Sequence, residues 1–338
     1  MPDLDELLTT RGFSAEFGAY VTAACFSGNG GHAGFALGDG SLRLSDTKAW
    51  SRVDAHAGAV LSLATHPQNG GFCSGGDDGK LLGILPGGEV TRIAEFGRKW
   101  VEYLAVFAGK TPLVAAAVGK NVHLFSGAGE KIREFAHPST VTGIAFDARG
   151  KRLAAAHYNG ASLWFTASSA QAPRLLEWKG SHLGVAIHPK GEALVTAMQE
   201  NALHGWTLPE AKHMRMSGYA AKPESFGFTR SGRWLATAGA EAVVLWPFFG
   251  GGPMGKAPSE LGASDGSVKR VACHPEHEVV AAGFDTGLVV VIDIAAERIL
   301  PVCGPGRGGI TALGWSGSGA HLALGTEHGF AAVVDFSG

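Results

Sequence analysis

A bulky apolar residue, a small one and usually another apolar one recur about every forty residues along this chain. A pattern of that period restricts the fold to an array of similar units, each too small to bury its own apolar face. The mark falls at Ala24-Cys25-Phe26, Leu63-Ala64-Thr65, Leu104-Ala105-Val106, Ile144-Ala145-Phe146, Val185-Ala186-Ile187, Phe226-Gly227-Phe228, Val271-Ala272-Cys273 and Leu313-Gly314-Trp315. From 24 to 313 the steps are 39, 41, 40, 41, 41, 45 and 42 residues. Length alone, 338 residues, suggests two or three domains. The uniform beat replaces that expectation with one domain of eight units.

The residues within one unit show what is repeated. Val141 to Phe146 is apolar and β-branched, Asp147-Ala148-Arg149-Gly150 is a turn, and Lys151 to His157 is a second strand. Tyr158-Asn159-Gly160 is a hairpin turn of the Asn-Gly kind, Ala161 to Phe165 a third strand, and Arg174 to Trp178 an outermost fourth. Four antiparallel strands per unit make one blade of a β-propeller. The small middle residue fits this geometry, because innermost strands converge on an axis where there is room for little more than a methyl group. The last unit runs Ile310 to Trp315, Ala320 to Leu324 and Phe330 to Phe336, then stops one strand short. A strand over residues 11–17 is expected to complete it and remove the open sheet edge. The expected organisation is a short arm over residues 1–10 and a propeller over 11–338, all-β, with eight four-stranded blades. Seven would require about 48 residues each, more than the marks allow.

Composition agrees with many short strands and tight turns: glycine numbers 51, and charged residues make up 17% of the chain. The 28 lysines and arginines nearly balance 30 acids, leaving no global field to draw the protein to nucleic acid or an anionic membrane. Cys25, Cys73, Cys273 and Cys303 form no CxxC pair and read as reduced, buried thiols. The acidic start, Met1-Pro2-Asp3-Leu4-Asp5-Glu6-Leu7-Leu8, lacks the basic, apolar pattern of a signal peptide, and no apolar run is long enough to span a membrane. A cytoplasmic protein, monomeric by itself, is expected.

The dipeptides that end the third strands are Ser45-Asp46, Ile84-Leu85, Phe125-Ser126, Trp164-Phe165, Trp206-Thr207, Trp246-Pro247, Ile292-Asp293 and Val334-Asp335. Ala55-His56 and Ser181-His182 precede first strands, and Ser74-Gly75-Gly76-Asp77-Asp78-Gly79 forms a hairpin. These residues resemble the WD40-repeat family, whose unit carries Gly-His before its first strand, Ser-Gly-x-Asp-Asp-Gly at the hairpin and Trp-Asp at the third strand's end. Three units keep the Trp and three others the Asp. In the second unit the resemblance assigns His56, Ser74 and Asp78 to the family's buried hydrogen-bonded tetrad, with Ile84 in place of its Trp. It further implies a rigid disc whose loop faces hold partner proteins.

Departures from the repeat mark the candidate sites. One residue before each mark, close to the channel, stand Ala23, Ser62, Tyr103, Gly143, Gly184, Ser225, Arg270 and Ala312. Tyr103 and Arg270 are the large ones; either aims into the channel mouth or plugs the ring by pairing with a neighbouring blade. Arg98-Lys99-Trp100 precedes the third unit's first strand, and a Trp beside cations is a frequent interface anchor. The 45-residue step comes from an insertion after Trp246-Pro247, which brings Phe248, Phe249 and Met254 either back onto the blade or onto a partner. Its Gly250-Gly251-Gly252-Pro253-Met254-Gly255-Lys256 spells a phosphate-loop pattern, but Ala257 replaces the hydroxyl residue that would hold magnesium and nothing helical follows.

Other patterns have structural explanations. His66, His188 and His274, each before a proline, share one turn position in three different blades and cannot meet on one metal ion. Leu4, Leu7 and Leu8 share a helical face that fits an LxxLL docking spacing, although such an arm ordinarily packs on its own domain. No nucleophile, metalloprotease or kinase motif is present. The expected function is a non-catalytic scaffold that binds one or more proteins, without metal, cofactor or nucleic acid. The alternative is an enzyme or small-ligand binder at the channel mouth, built on Arg270, Tyr103 and Glu224.

Overall fold

A computed structural model describes residues 3–168 and 172–337. Met1 and Pro2 of the expected arm, and Gly338 at the end of the expected propeller, lie outside the described residues. The described chain is an antiparallel β-propeller with one short helix, Glu6–Arg11.

The innermost strands are Val21–Phe26, Val60–Thr65, Tyr103–Phe107, Gly143–Phe146, the second half of Arg174–Ile187, Phe226–Phe228, Val268–Cys273 and Ile310–Trp315. Each packs against the next, and the last packs against the first, so they ring the axis. Each repeat mark therefore sits on an inner strand. The second strands behind them, such as Ala33–Leu37, Phe72–Gly76 and Leu113–Val118, are buried along their whole length, and the third strands nearly so. They are covered on both sides by neighbouring units, which explains why they read as continuous small and apolar runs. The core lies between units: Leu42 and Leu44 of the first pack with Phe72, Leu82 and Ile84 of the second.

Hydrogen bonding corrects the expected blade count. It divides the ring into seven sheets, six of four strands and one of six, rather than eight separate blades. The fourth and fifth units share the six-stranded sheet because the chain between them keeps its strand pairing through Gly180, where φ is +123°. Ser181 pairs with Tyr158 on one side, while its carbonyl accepts the Gln199 amide at 3.0 Å on the other. The sharing strand is Arg174–Ile187, and its partner Arg152–Phe165 folds back at Asn159, where φ is +66°. Among the described residues no ladder links the other neighbouring sheets; packing, side-chain bonds and single backbone bonds such as Val101 amide to Gly76 carbonyl (3.0 Å) hold them together.

The N-terminal strand, Gly12–Glu16, pairs antiparallel with Phe330–Asp335 in register Gly12 to Val334. The preceding helix lies against the outer strand Arg298–Cys303 of the seventh unit. Leu8 is buried there with Val302, Phe330 and Val334, and Leu7 packs beside it. The Asp5 carboxylate accepts from the Gly304 amide (2.7 Å) and pairs with Arg307 (3.0 Å). The leucine face is thus turned onto this domain; Leu4 alone stays 37% exposed.

Candidate functional site

An inner strand's first residue lies opposite the end of the second strand, as in Val21 with Leu37 and Tyr103 with Ala117, the last residue but one. The hairpins that follow second strands therefore share one face with the loops that lead into inner strands. On this leading face sit Tyr20 (46% exposed), Trp100 (56%), Tyr103 (36%) and Tyr158 (55%). The chain has four tyrosines and eight tryptophans. Its remaining tyrosine, Tyr219, is buried, and none of the other tryptophans is exposed. The exposed aromatics with a polar tip are thus gathered on one face.

Arg98, Lys99 and Lys120 on leading-face loops, and Lys179 where the shared strand crosses from the fourth unit to the fifth, are exposed in the same arc and make no ion pair. Several acids elsewhere on that face already serve the backbone. Asp285 accepts the Ser267 amide (2.9 Å), Glu327 the Gly309 amide (2.8 Å) and Asp78 the Ala57 amide (3.2 Å).

At the leading end of the ring, side chains bridge most joints between inner strands. Hydroxyls donate to carbonyls of the next unit from Thr22 to Val60 (2.7 Å), Ser62 to Val101 (3.2 Å), Thr142 to His182, Ser225 to Val271 (3.3 Å) and Thr311 to Val21 (2.5 Å). Arg270 does the same with a guanidinium, its Nε donating to the Thr311 carbonyl at 2.7 Å and its other arm to Lys269 at 3.0 Å. Arg270 thus bridges the joint between the seventh and eighth units. Tyr103 begins an inner strand on the far side of the axis from Arg270, with three inner strands between them in either direction. Glu224, half exposed, pairs with Lys222 at 3.5 Å. The three residues of the alternative site are not brought into contact with one another.

The second unit forms the hydrogen-bonded chain that the family resemblance implies. The imidazole of His56 donates from Nδ1 to Asp78 (2.9 Å) and accepts the Ser74 hydroxyl at Nε2 (2.8 Å). Hydrogen bonds to the ionised form hold the Asp78 carboxyl below its usual range against the opposing effect of burial. Comparable chains in later units escaped the sequence reading. Trp246 donates to the Tyr219 hydroxyl (2.6 Å), which bonds Thr237 (2.6 Å), and Trp164 donates to His137 (3.1 Å). His182 bonds Thr196 at 2.6 Å beside Trp206. The surviving third-strand tryptophans were the available signal; a Tyr in place of the loop His concealed the partner.

The insertion folds back on its unit. Phe248 is buried, with its ring edge-on to Phe228 at 4.9 Å, so it offers nothing to a partner. Phe249 packs edge-on to Trp234 (5.3 Å) under Arg233, while Met254 is 55% exposed. The Lys256 ammonium turns inward to the Phe249 and Gly250 carbonyls, and a strand, Ser259–Leu261, follows. A phosphate loop needs that lysine free and a helix after it. A groove of about 450 Å³ beside the insertion is lined by His188, Arg233 and Phe249 among others. Among the described residues no group of three or more His, Cys, Asp or Glu could hold a metal ion. Burial pushes the Cys25, Cys73 and Cys273 thiols up to about 12. Among the described residues no helix is long and apolar enough to cross a membrane.

The family model for the WD40 repeat, described as WD domain, G-beta repeat, matches residues 49–82, which contain the His56, Ser74 and Asp78 chain. No curated protein matches the sequence. Among solved structures the chain is similar to the crystal structure of the computationally designed Ika8 protein, at 16% identity, with a TM-score of 0.76. The match covers 95% of this chain and 97% of that one, and it supports the fold alone.

Proposed function

We propose that this β-propeller, which carries a WD40 repeat, is a non-catalytic scaffold that grips a partner protein on its leading face around Arg98, Lys99, Trp100 and Tyr103. The gathering of Tyr20, Trp100, Tyr103 and Tyr158 on that face carries the reading. Tyr and Trp present large, rigid contact area with a polar tip, and with Arg they dominate interface hot spots. The cations beside them have no ion pair to break before they meet a partner. WD40 propellers generally act through protein contacts, and the engagement of Arg270 with two carbonyls supports this reading over a channel-mouth enzyme.

Immobilised wild-type protein and an Arg98→Ala/Trp100→Ala double variant are to be compared for stoichiometric capture of a protein from native lysate. Capture by the wild type and its loss in a double variant of unchanged Tm is expected, since truncating one hot-spot residue costs about 2 kcal/mol or more. Capture that survives the double variant but fails on Arg270→Ala would move the site to the channel mouth.

A further inference from the structure

The joint between the third and fourth units departs from the ring's rule in a way that makes a site. Elsewhere the residues that begin an inner strand supply a donor to the next unit, at Thr22, Ser62, Thr142, Ser225, Arg270 and Thr311. The joint between the fifth and sixth units has only Leu183 and Gly184 at those positions, and so carries no polar group. Between the third and fourth the positions hold Glu102 and Tyr103. The carbonyl that corresponds to Val60, Val101 and His182 is that of Val141, and it receives no donor among the described residues. The Glu102 carboxylate is half-buried and likewise has no hydrogen-bond or ion-pair partner there. An ionised acceptor therefore stands at the joint where every comparable polar position presents a donor.

A partly desolvated carboxylate is unfavourable unless it is paired. Burial pushes the Glu102 carboxyl above its usual range, and no cation acts on it to bring it back. The neighbouring lysine is turned elsewhere: Lys99 acts on Glu134 and His123, toward the outer strands of the third unit. Tyr103 is electrostatically coupled to Glu102 and exposes part of its ring, and Trp100 stands two residues back, 56% exposed. Carboxylate, free carbonyl and aromatic faces all attract the same chemistry, a cation with N–H donors.

We propose that Glu102, the Val141 carbonyl and the faces of Tyr103 and Trp100 form a receptor for a guanidinium or ammonium group, presented by an arginine or lysine side chain of the partner protein. The inference rests on the leading face being the docking surface and names the chemistry that this arc recognises. Arg98 and Lys120 then lie around the inserted side chain and meet polar or acidic groups beside it.

Blocked tripeptides Ala-Arg-Ala, Ala-Lys-Ala and Ala-norleucine-Ala, titrated into ¹⁵N-labelled protein and followed at the Trp100 indole and Tyr103 amide, test this directly. The two cationic peptides are expected to saturate, with the norleucine peptide weaker by about tenfold or more. Glu102→Gln is expected to lose a similar factor while its Tm holds or rises, because an unpaired, desolvated charge has been removed; Glu102→Asp keeps the preference for cations. Equal binding of norleucine and lysine peptides, or unchanged binding in Glu102→Gln, overturns the proposal. So does a loss of binding accompanied by a fall in Tm, which would make Glu102 a structural residue. Capture of the native partner that depends on Arg98 and Trp100 but not on Glu102 would sink this receptor and leave the docking face standing. Peptide discrimination without any such capture would do the reverse.

Discussion

Gly143 has no room for a methyl group. A Cβ placed there would lie 2.7 Å from the Gly184 Cα, whereas one placed on Gly184 would lie 3.4 Å from the Phe226 ring, an ordinary contact. Gly143→Ala is therefore expected to lower stability by about 1–3 kcal/mol, and Gly184→Ala to be nearly neutral. Urea unfolding of the two variants checks this, and equal costs would refute it. The sequence placed both glycines in one column of small residues beside the channel, so the crowding was legible there. Which of the pair is constrained was not, because it depends on how two backbones face each other across a joint. Arg270 was likewise visible as an oddity, and its partner, a carbonyl 41 residues on, was not. The orphan state of Glu102 emerges only when the bridged joints are set beside it.

At the scale of elements, periodicity placed an inner strand in every unit, turn chemistry placed the strands of the fourth, and the closing strand expected over 11–17 spans Gly12–Glu16. The shared sheet of the fourth and fifth units was illegible, since it depends on Ser181 keeping its backbone bonds on both sides. The helix and the closing strand make separable contributions. Removing residues 1–11 deletes the buried Leu8 and the half-exposed Asp5–Arg307 pair, so a soluble protein of lower Tm is expected. Removing residues 1–17 also strips the edge from Phe330–Asp335, which reads Phe-Ala-Ala-Val-Val-Asp. An open apolar edge recruits other chains, so that variant is expected to elute as aggregate in size-exclusion chromatography. A monodisperse product would show that the strand does not guard the edge.

For the molecule as a whole, buried histidines set the response to acid. Burial, with His157 adding repulsion, pushes His137 down to about 4, and burial with His213 and other cations pushes His204 down to about 3. Each takes up a proton more readily unfolded, near 6.5, than folded. Between those values the unfolded chain binds more protons, so stability is complete above about pH 6.5 and is lost as pH falls toward 4. Tm measured from pH 7.5 to 4 should decline, and less steeply in His137→Gln once its lower starting Tm is allowed for; parallel curves would exclude His137 as a source.

The pairing of Gly12 with Val334 also fixes when the molecule can be finished. During translation Gly12–Glu16 has no partner until Phe330–Asp335 has emerged, an interval on the order of tens of seconds at ordinary synthesis rates. Through that time the earlier units can fold against one another while the nascent N-terminus waits. Completion of that pairing must wait for the eighth unit to be made, and the slowest step of folding is expected to be the meeting of these two strands.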